Sequence, residues 1–239
     1  MRSKLLTLSL LSLLALFQST WAQDSNGDRR SYTFSTMTLN GGKFELFYKE
    51  GEAMQPLLIS PEIRSRPREY SGSSEIQFFR TSGNTPEGEP QYKLIASHEV
   101  AVGMKQPLFI FLPNPGGTTA YRIFAIEDAP EMIPAGSIRF FNFSKQEIFG
   151  LVADQKIKIP RNEMTLTVVK VPEPTAVALR FASFNEVDNK MRKAYASTIG
   201  LYPNERGMML IFDANDGRNG TVRVKLLVEN LRLPIYGDS

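Results

Sequence analysis

The stretch Thr221-Val-Arg-Val-Lys-Leu-Leu-Val-Glu229 decides the fold class of this sequence. Its even-numbered positions are Val, Val, Leu and Val, whereas Arg223, Lys225 and Glu229 are charged. A period of two residues belongs to an extended strand, whose successive side chains point to opposite faces of a sheet. The segment therefore predicts an antiparallel strand with one buried and one solvated face.

From Tyr32 onward the sequence consists of short β-branched or aromatic runs separated by Gly, Pro and Asn, which is typical of successive strands and turns. No later window carries a 3.6-residue period with capping residues, so helices should be scarce. Asn40-Gly41-Gly42 predicts a tight hairpin turn, because Asn and Gly tolerate positive φ. An all-β fold is expected. The predicted strands are 32–39, 43–49, 56–60, 74–80, 91–99, 107–112, 119–127, 137–143, 147–153, 156–160, 164–171, 176–183, 190–198, 207–213 and 221–229.

The chain resembles itself at a shift of 101 residues. Seven identities fall within the 41 positions from 82 to 122, where composition alone gives roughly 6% identity. They include Ile110 with Ile211 and Arg122 with Arg223. General likeness between β-domains is the alternative explanation; tandem duplication of a unit of about 100 residues is the interpretation preferred here.

The duplication sets the expected domain boundaries. Ala129-Pro-Glu-Met-Ile-Pro134 has two prolines in six residues and should form a stiff, non-helical seam. The predicted domains are 31–129 and 134–232, the second an internal repeat of the first. Each has about seven short strands, the number typical of an immunoglobulin-like sandwich. The expected fold is two tandem immunoglobulin-like antiparallel β-sandwiches.

Two short segments resemble a known group of proteins. Pro134-Ala-Gly-Ser-Ile-Arg-Phe-Phe-Asn-Phe and Lys156-Ile-Lys-Ile-Pro160 are similar to segments of uncharacterised secreted bacterial proteins. In those proteins a comparable strand opens a small β-sandwich of the immunoglobulin-like kind. The resemblance covers about 40 residues and implies a bacterial cell-envelope location, without an activity or a site to transfer.

Residues 1–22 have the parts of a secretory signal peptide: a basic start, a 13-residue apolar centre, and Thr20 and Ala22 at positions −3 and −1 of the cleavage site. Thirteen residues are too few to span about 30 Å of hydrocarbon. Residues 23–30 should be a flexible leader. The mature chain is expected to be periplasmic or secreted, without a membrane span.

The amino-acid composition excludes several classes of catalytic and metal-binding site. The chain has no Cys and one His, which excludes disulfides, thiolate metal sites and sites that need two imidazoles. Removing Arg2 and Lys4 with the signal peptide leaves 26 basic against 25 acidic residues. So small a net charge gives no electrostatic case for nucleic acid. The sequence also has no nucleophile elbow, no metal-ligand cluster and no Gly-rich phosphate loop, so the chain is predicted not to be an enzyme and to need no cofactor.

Two features remain as candidates for catalysis or metal binding. The sequence has no Gly-x-Ser-x-Gly motif that would supply a nucleophilic serine for His98 to activate. His98 is therefore expected to be an ordinary strand residue. The loop after 213 is rich in oxygen ligands, and Asp213, Asn215 and Asp216 are candidates for a surface Ca²⁺. Val224 stands where an EF-hand has its Glu, so a plain hairpin turn is the competing interpretation.

Arg64-Ser-Arg66-Pro-Arg68-Glu-Tyr70 is the candidate binding segment. Pro67 favours extended backbone before it, which would place Arg64, Arg66 and Arg68 on one face with Tyr70 beside them. Such a ridge of guanidinium groups suits carboxylate or phosphate. The alternative is a solvated edge that prevents strand-to-strand aggregation.

These observations predict a non-catalytic binding or structural module of the bacterial cell envelope or exterior, acting through sheet faces, edges and loops. Its expected partner is a protein or polysaccharide of the envelope. One alternative is a carbohydrate-binding protein, with Tyr32, Tyr48, Tyr70 or Tyr92 as the surface on which a sugar stacks. Another is a periplasmic pilus-type chaperone, which has two sandwich domains in a chain of this size.

Overall fold

The computed structural model describes residues 29–39, 42–185, 189–214 and 222–233. Over these ranges the chain forms sixteen β-strands and no helix, so the all-β prediction is confirmed. The predicted signal peptide and residues 23–28 of the predicted leader lie outside the described residues, whereas Arg29 and Arg30, the last two residues of that leader, belong to a strand. Within them, there is no helical segment of the length and hydrophobicity that crossing a bilayer requires.

The first eight strands form two four-stranded sheets. They are β1 (Arg29–Thr38), β2 (Phe44–Glu50), β3 (Ala53–Ile59), β4 (Arg68–Ser73), β5 (Glu75–Asn84), β6 (Pro90–Glu99), β7 (Pro107–Pro113) and β8 (Tyr121–Glu127). Their orders are β4-β1-β7-β8 and β3-β2-β5-β6. Aromatic rings fill the space between the sheets, with Phe34, Phe78 and Phe109 in mutual contact.

The last eight strands repeat this arrangement. They are β9 (Ser137–Asn142), β10 (Ile148–Val152), β11 (Gln155–Ile159), β12 (Met164–Val168), β13 (Thr175–Asn185), β14 (Lys190–Leu201), β15 (Glu205–Asp213) and β16 (Val222–Asn230). Their orders are β12-β9-β15-β16 and β11-β10-β13-β14. Here the core is more aliphatic, with Phe140 and Phe181 as its aromatic pair.

Adding eight to each strand number converts the sheets of the first half into those of the second. The unusual features recur too: β1 pairs in parallel with β7, and β9 with β15. A β-bulge interrupts both long hairpins, with Ile95 as the extra residue of β6 and Ala194 as that of β14. The two halves therefore share topology, pairing direction and bulge position.

A uniform shift of 101 residues does not describe this correspondence. It pairs Ile123 with Val224, and both pack against the core of their own half. It also pairs Phe109 with Leu210, but Phe109 belongs to the first core whereas Leu210 points away from the second. Because side chains alternate along a strand, a one-residue error exchanges its faces.

A third apolar cluster joins the two halves. It lies between the sheets β4-β1-β7-β8 and β12-β9-β15-β16 and includes Leu108, Ile110, Phe141 and Leu210. Strand β9 is consequently buried at every position. The molecule is thus a stack of four sheets with an apolar layer in each gap, and its two central sheets are covered on both faces.

The third cluster corrects the expectation for Thr221–Glu229. Val222 packs into the second core as predicted, but Leu227 on the opposite face is buried in the cluster between the halves. Lys225 on that face lies 2.7 Å from a carboxylate oxygen of Glu62 in the first half. The face predicted to be solvated is therefore largely an internal contact surface.

Candidate functional site

Arg64, the first residue of the predicted arginine ridge, points into the junction between the halves. Its side chain is 11% exposed, and its Nε and Nη2 donate to the two carboxylate oxygens of Asp128 at 2.7 and 3.2 Å. Its Nη1 lies 3.4 Å from Oε2 of Glu229. This bidentate geometry is typical of a structural arginine–carboxylate pair.

Arg206 completes a cluster of four charges with Arg64, Asp128 and Glu229, here called the junction cluster. Arg206 is 5% exposed, and its Nε donates to Oε2 of Glu229 at 2.7 Å. Its Nη2 lies 3.3 Å from Oδ2 of Asp128, and its Nη1 donates to the Asp128 carbonyl at 2.8 Å. Two positive and two negative groups, one pair from each half, thus compensate one another where little of each side chain is exposed.

Arg139 of β9 holds the seam between the halves. Its Nη1 donates to the Glu127 carbonyl at 3.2 Å, and its Nη2 donates to the Met132 carbonyl. Burial lowers the pKa of the Arg139 guanidinium, and nearby Asp128 opposes that shift. Ile133, in the same seam, is 1% exposed within the third cluster. The seam is therefore packed between the sandwiches.

The predicted ridge is not a single surface, and the expectation that Arg64, Arg66 and Arg68 share one face is wrong. Arg66 and Arg68 are exposed, but Arg64 is turned inward by the carboxylates of the other half. Tyr70 is 4% exposed and stacks on Tyr32, with ring centroids 5.0 Å apart. The reason is that β4 begins at Arg68, so Arg64 precedes the strand whose alternation was assumed.

Three of the four tyrosines proposed as sugar-stacking surfaces are core residues. Tyr32, Tyr48 and Tyr70 are each at most 6% exposed. Burial raises the pKa of the Tyr32 hydroxyl, and Tyr70 raises it further. The fourth, Tyr92, is partly buried and packs edge-on against Phe47. The buried rings present no face to a sugar.

His98 lies on β6 as an ordinary strand residue. Its ring packs against Phe109 at a centroid distance of 5.9 Å. Burial lowers the pKa of the imidazole, and Glu99 acts in the opposite direction.

The predicted calcium loop is described only at its start. Asp213 ends β15, and its Oδ1 accepts a hydrogen bond from the backbone N–H of Lys145 at 3.1 Å. Asn215 and Asp216 lie outside the described residues. In the ranges that the structure does cover, no three Asp, Glu or His side chains gather as a metal site would require.

An open apolar cleft between the halves is the strongest candidate site. It has a volume of about 600 Å³ and lies where β8 faces β9 and β12. The ring of Phe124 meets that of Phe143 edge-on at 4.8 Å. Met132 and Met164 are 49% and 59% exposed. The apolar side chains that line this junction cleft are Met104, Phe124, Ala125, Ile126, Met132, Phe141, Phe143 and Met164.

The strand bordering the cleft, β12, is an edge strand with an apolar exposed face. Met164, Leu166 and Val168 alternate along it and are 59%, 40% and 55% exposed. The strand in the same position of the first half, β4, carries Arg68 and Glu69 instead, and a carboxylate oxygen of Glu50 accepts the Ser71 N–H at 3.2 Å. Charged edges resist pairing with foreign strands. One half therefore protects this edge and the other leaves it apolar.

Sequence reasoning missed both the cleft and the junction cluster. Two features of the sequence could have indicated the cleft. Phe140 and Phe141 are adjacent, which requires apolar cover on both faces of one strand, and Met164-Thr-Leu-Thr-Val168 alternates without a charge. The junction cluster had no comparable signal, because its four residues are separated by up to 165 positions, from 64 to 229.

Comparison with known proteins adds no assignment. No protein-family model matches the chain, and no curated protein matches it.

Proposed function

We propose that this protein is an exported, non-catalytic binding module of the bacterial cell envelope or exterior, and that it engages its partner through the junction cleft. The observation that carries the proposal is the exposure of Met132 and Met164 beside the Phe124 and Phe143 rings. Apolar surface of this kind, rimmed by polar residues, marks interaction sites on soluble proteins. Methionine side chains adapt to partners of varied shape.

Residues 1–22 support the exported location, because they have the pattern of a cleaved signal peptide. The matching sheet orders of the two halves support a tandem duplication. The finer description of each unit as immunoglobulin-like is also part of the proposal. Two packed sheets support it, but the strand order departs from the seven-stranded constant-type arrangement.

A non-catalytic role agrees with what surrounds the cleft. Arg139, its most basic lining residue, is engaged by the carbonyls of Glu127 and Met132. The other polar residues of the lining are Glu127, Asn142, Asn162 and Glu163, and the rest is aromatic and aliphatic. Such a surface recognises a partner by shape and apolar contact, and an envelope protein fits it better than a polysaccharide does.

Site-specific photo-cross-linking in the organism of origin tests the proposal. A photoreactive residue at Met132 should give discrete protein adducts, and the same residue at Val102, an 83% exposed position that does not line the cleft, should not. Adding Met164→Glu should suppress the Met132 adducts, because it places a charge in the cleft. Equal labelling at both positions, or none at Met132, would overturn the assignment. Adducts that shift with a glycosidase would identify a polysaccharide instead.

A further inference from the structure

We infer that β12 is a self-association edge, at which a second copy of this chain adds its own β12 in antiparallel orientation. The hydrogen-bonding direction of the strand is the first support. Asn142 N–H donates to the Glu163 carbonyl at 3.0 Å and Val169 N–H to the Gly136 carbonyl at 2.6 Å. Bonded positions alternate along an antiparallel strand, so Met164, Leu166 and Val168 direct their N–H and C=O groups to the open side.

The Val168 carbonyl confirms this direction, because it accepts a hydrogen bond from Nε2 of Gln155 at 2.9 Å. In the part of the chain that the structure describes, no other strand pairs with the open side of β12. A carbonyl oxygen has a second lone pair, so this side-chain contact leaves room for a strand partner.

The edge is complementary to itself. A two-fold axis at Leu166 places Leu166 opposite its own copy and Met164 opposite Val168, all through their open hydrogen-bonding groups. The exposed side chains of these residues then meet as apolar cross-strand pairs on one face. This is the isologous contact expected of a two-fold dimer, and it continues the four-stranded sheet into one of eight strands.

The flanking charges favour the same antiparallel arrangement. Exposed Glu163 precedes the strand and exposed Lys170 follows it. The two-fold separates the like charges, because it places Glu163 opposite Val169 and Lys170 opposite Asn162 of the other copy, whereas a parallel, in-register arrangement would place each charge opposite its own copy. The polar edge of β4 shows that the chain can block this position. The apolar edge of β12 is therefore expected to be covered by a partner strand, and β12 of a second copy has the matching pattern of apolar residues.

The first test is the mass of the purified protein across concentration, by sedimentation or light scattering. A five-residue strand pair is a small interface, so the monomer–dimer transition should fall in roughly the micromolar to millimolar range. Leu166→Lys should raise the dimer dissociation constant at least about tenfold, because the two lysines would face each other. Leu94→Lys, at 38% exposure on edge strand β6, is the matched control and should not change it.

Cysteine cross-linking tests the register, since the chain has no Cys of its own. Paired residues on hydrogen-bonded antiparallel strands lie about 5.5 Å apart, within reach of a disulfide. Leu166→Cys should therefore dimerise on mild oxidation, and Leu94→Cys should not. Met164→Cys mixed with Val168→Cys should give a covalent heterodimer, while neither should cross-link efficiently alone.

A protein that stays monomeric throughout this range, or equal effects of the Leu94 and Leu166 changes, would overturn the inference. If Leu166→Lys fails to fold, as judged by its circular dichroism, the cysteine pairs give the answer in its place. Leu166 does not line the junction cleft. Met164 belongs to both the cleft and the edge, so only the Leu166 variants test the edge alone. A failed dimer test with these variants leaves the Met132 cross-linking result standing.

Discussion

The Arg206 guanidinium is 5% exposed and is surrounded by acceptors from both halves of the chain. The free-energy cost of removing its charge from water is offset by the Asp128 and Glu229 carboxylates beside it. The geometry is specific, since Arg64 donates to both oxygens of the Asp128 carboxylate and Arg206 shares Oδ2 with it. At the residue scale, the junction is therefore a network whose members depend on one another.

Arg206→Ala should lower the free energy of unfolding by about 3–5 kcal/mol, because it leaves two partly buried carboxylates with a single guanidinium. Urea-induced unfolding measures the change. Arg122→Ala, on an exposed position of β8, is the control and should stay within about 0.5 kcal/mol of the parent. A loss for Arg206→Ala no larger than that of the control would show that the network contributes little.

His98 predicts a pH dependence of stability. Burial lowers its folded-state pKa from the ordinary 6.5, so protonation favours the unfolded chain. Its contribution is complete above pH 6.5 and is lost as the pH falls from 6.5 towards the folded-state pKa. His98 is the only histidine in the sequence. Unfolding at about pH 7.5 and about pH 5.5 should therefore show a smaller difference for His98→Gln than for the parent. Identical pH profiles would exclude His98 as the cause.

At the scale of elements, close packing explains one glycine in a strand. A Cβ at Gly150 of β10 would lie 2.5 Å from Cδ1 of Phe181 and 3.2 Å from Cγ1 of Ile157. Phe181 is 2% exposed and pairs directly with Gly150 on the neighbouring strand. The Phe181 ring thus lies over the Gly150 backbone, which fixes how β10 and β13 pack.

Gly150→Ala should destabilise the protein by about 1–3 kcal/mol, because a buried ring cannot move aside without disturbing the core. Gly200→Ala on β14 is the matched control, since no atom lies within 4 Å of its Cβ position. That control should be neutral or stabilising by up to about 1 kcal/mol. Thermal or urea unfolding of both variants is sufficient, and an equal response would contradict the packing explanation.

At the scale of the whole molecule, the third cluster makes the two sandwiches neighbours in one stack. Ile110 and Leu210 are each at most 1% exposed, although they belong to different halves. Separating the halves would expose this apolar layer to water and leave the junction cluster unpaired. We therefore expect the halves to unfold together.

Leu179→Ala, a substitution far from the contact between the halves, tests whether the two halves unfold together. Leu179 is fully buried in the core of the second half, and truncating it should cost about 2–5 kcal/mol. If the halves unfold cooperatively, amide hydrogen exchange should accelerate in β2 of the first half as well as in β13. Unchanged exchange in β2, together with faster exchange in β13, would show that the sandwiches unfold independently.

The arrangement of strands along the chain was largely readable from the sequence. All fifteen predicted strands are present, and only β4 was missed. Arg68–Ser73 has one apolar residue, Tyr70, so it offers no alternation to detect. The run Leu108-Phe-Ile-Phe-Leu112 gave a different clue, because an unbroken apolar strand requires cover on both faces.

The candidate site was much less predictable. The sequence placed guanidinium groups at Arg64, Arg66 and Arg68 and an aromatic ring at Tyr70, but not their directions. Arg64 turns inward because Asp128 and Glu229 meet it from elsewhere in the chain, and Tyr70 is covered by the core of its own half. Neither neighbour is visible in a local pattern.

By itself, the sequence determined where the backbone is extended, since the two-residue period is a local property. The hairpin predicted at Asn40-Gly41-Gly42 is wrong, because β1 pairs with β4 and β7 whereas β2 pairs with β3 and β5 in a different sheet. Only the tertiary structure decided which face of each strand meets water. Leu227 is buried although it lies on the charged side of its strand, and Leu166 is exposed although it is apolar. Burial depends on the surface that packs against a residue, and here that surface comes from a distant part of the chain.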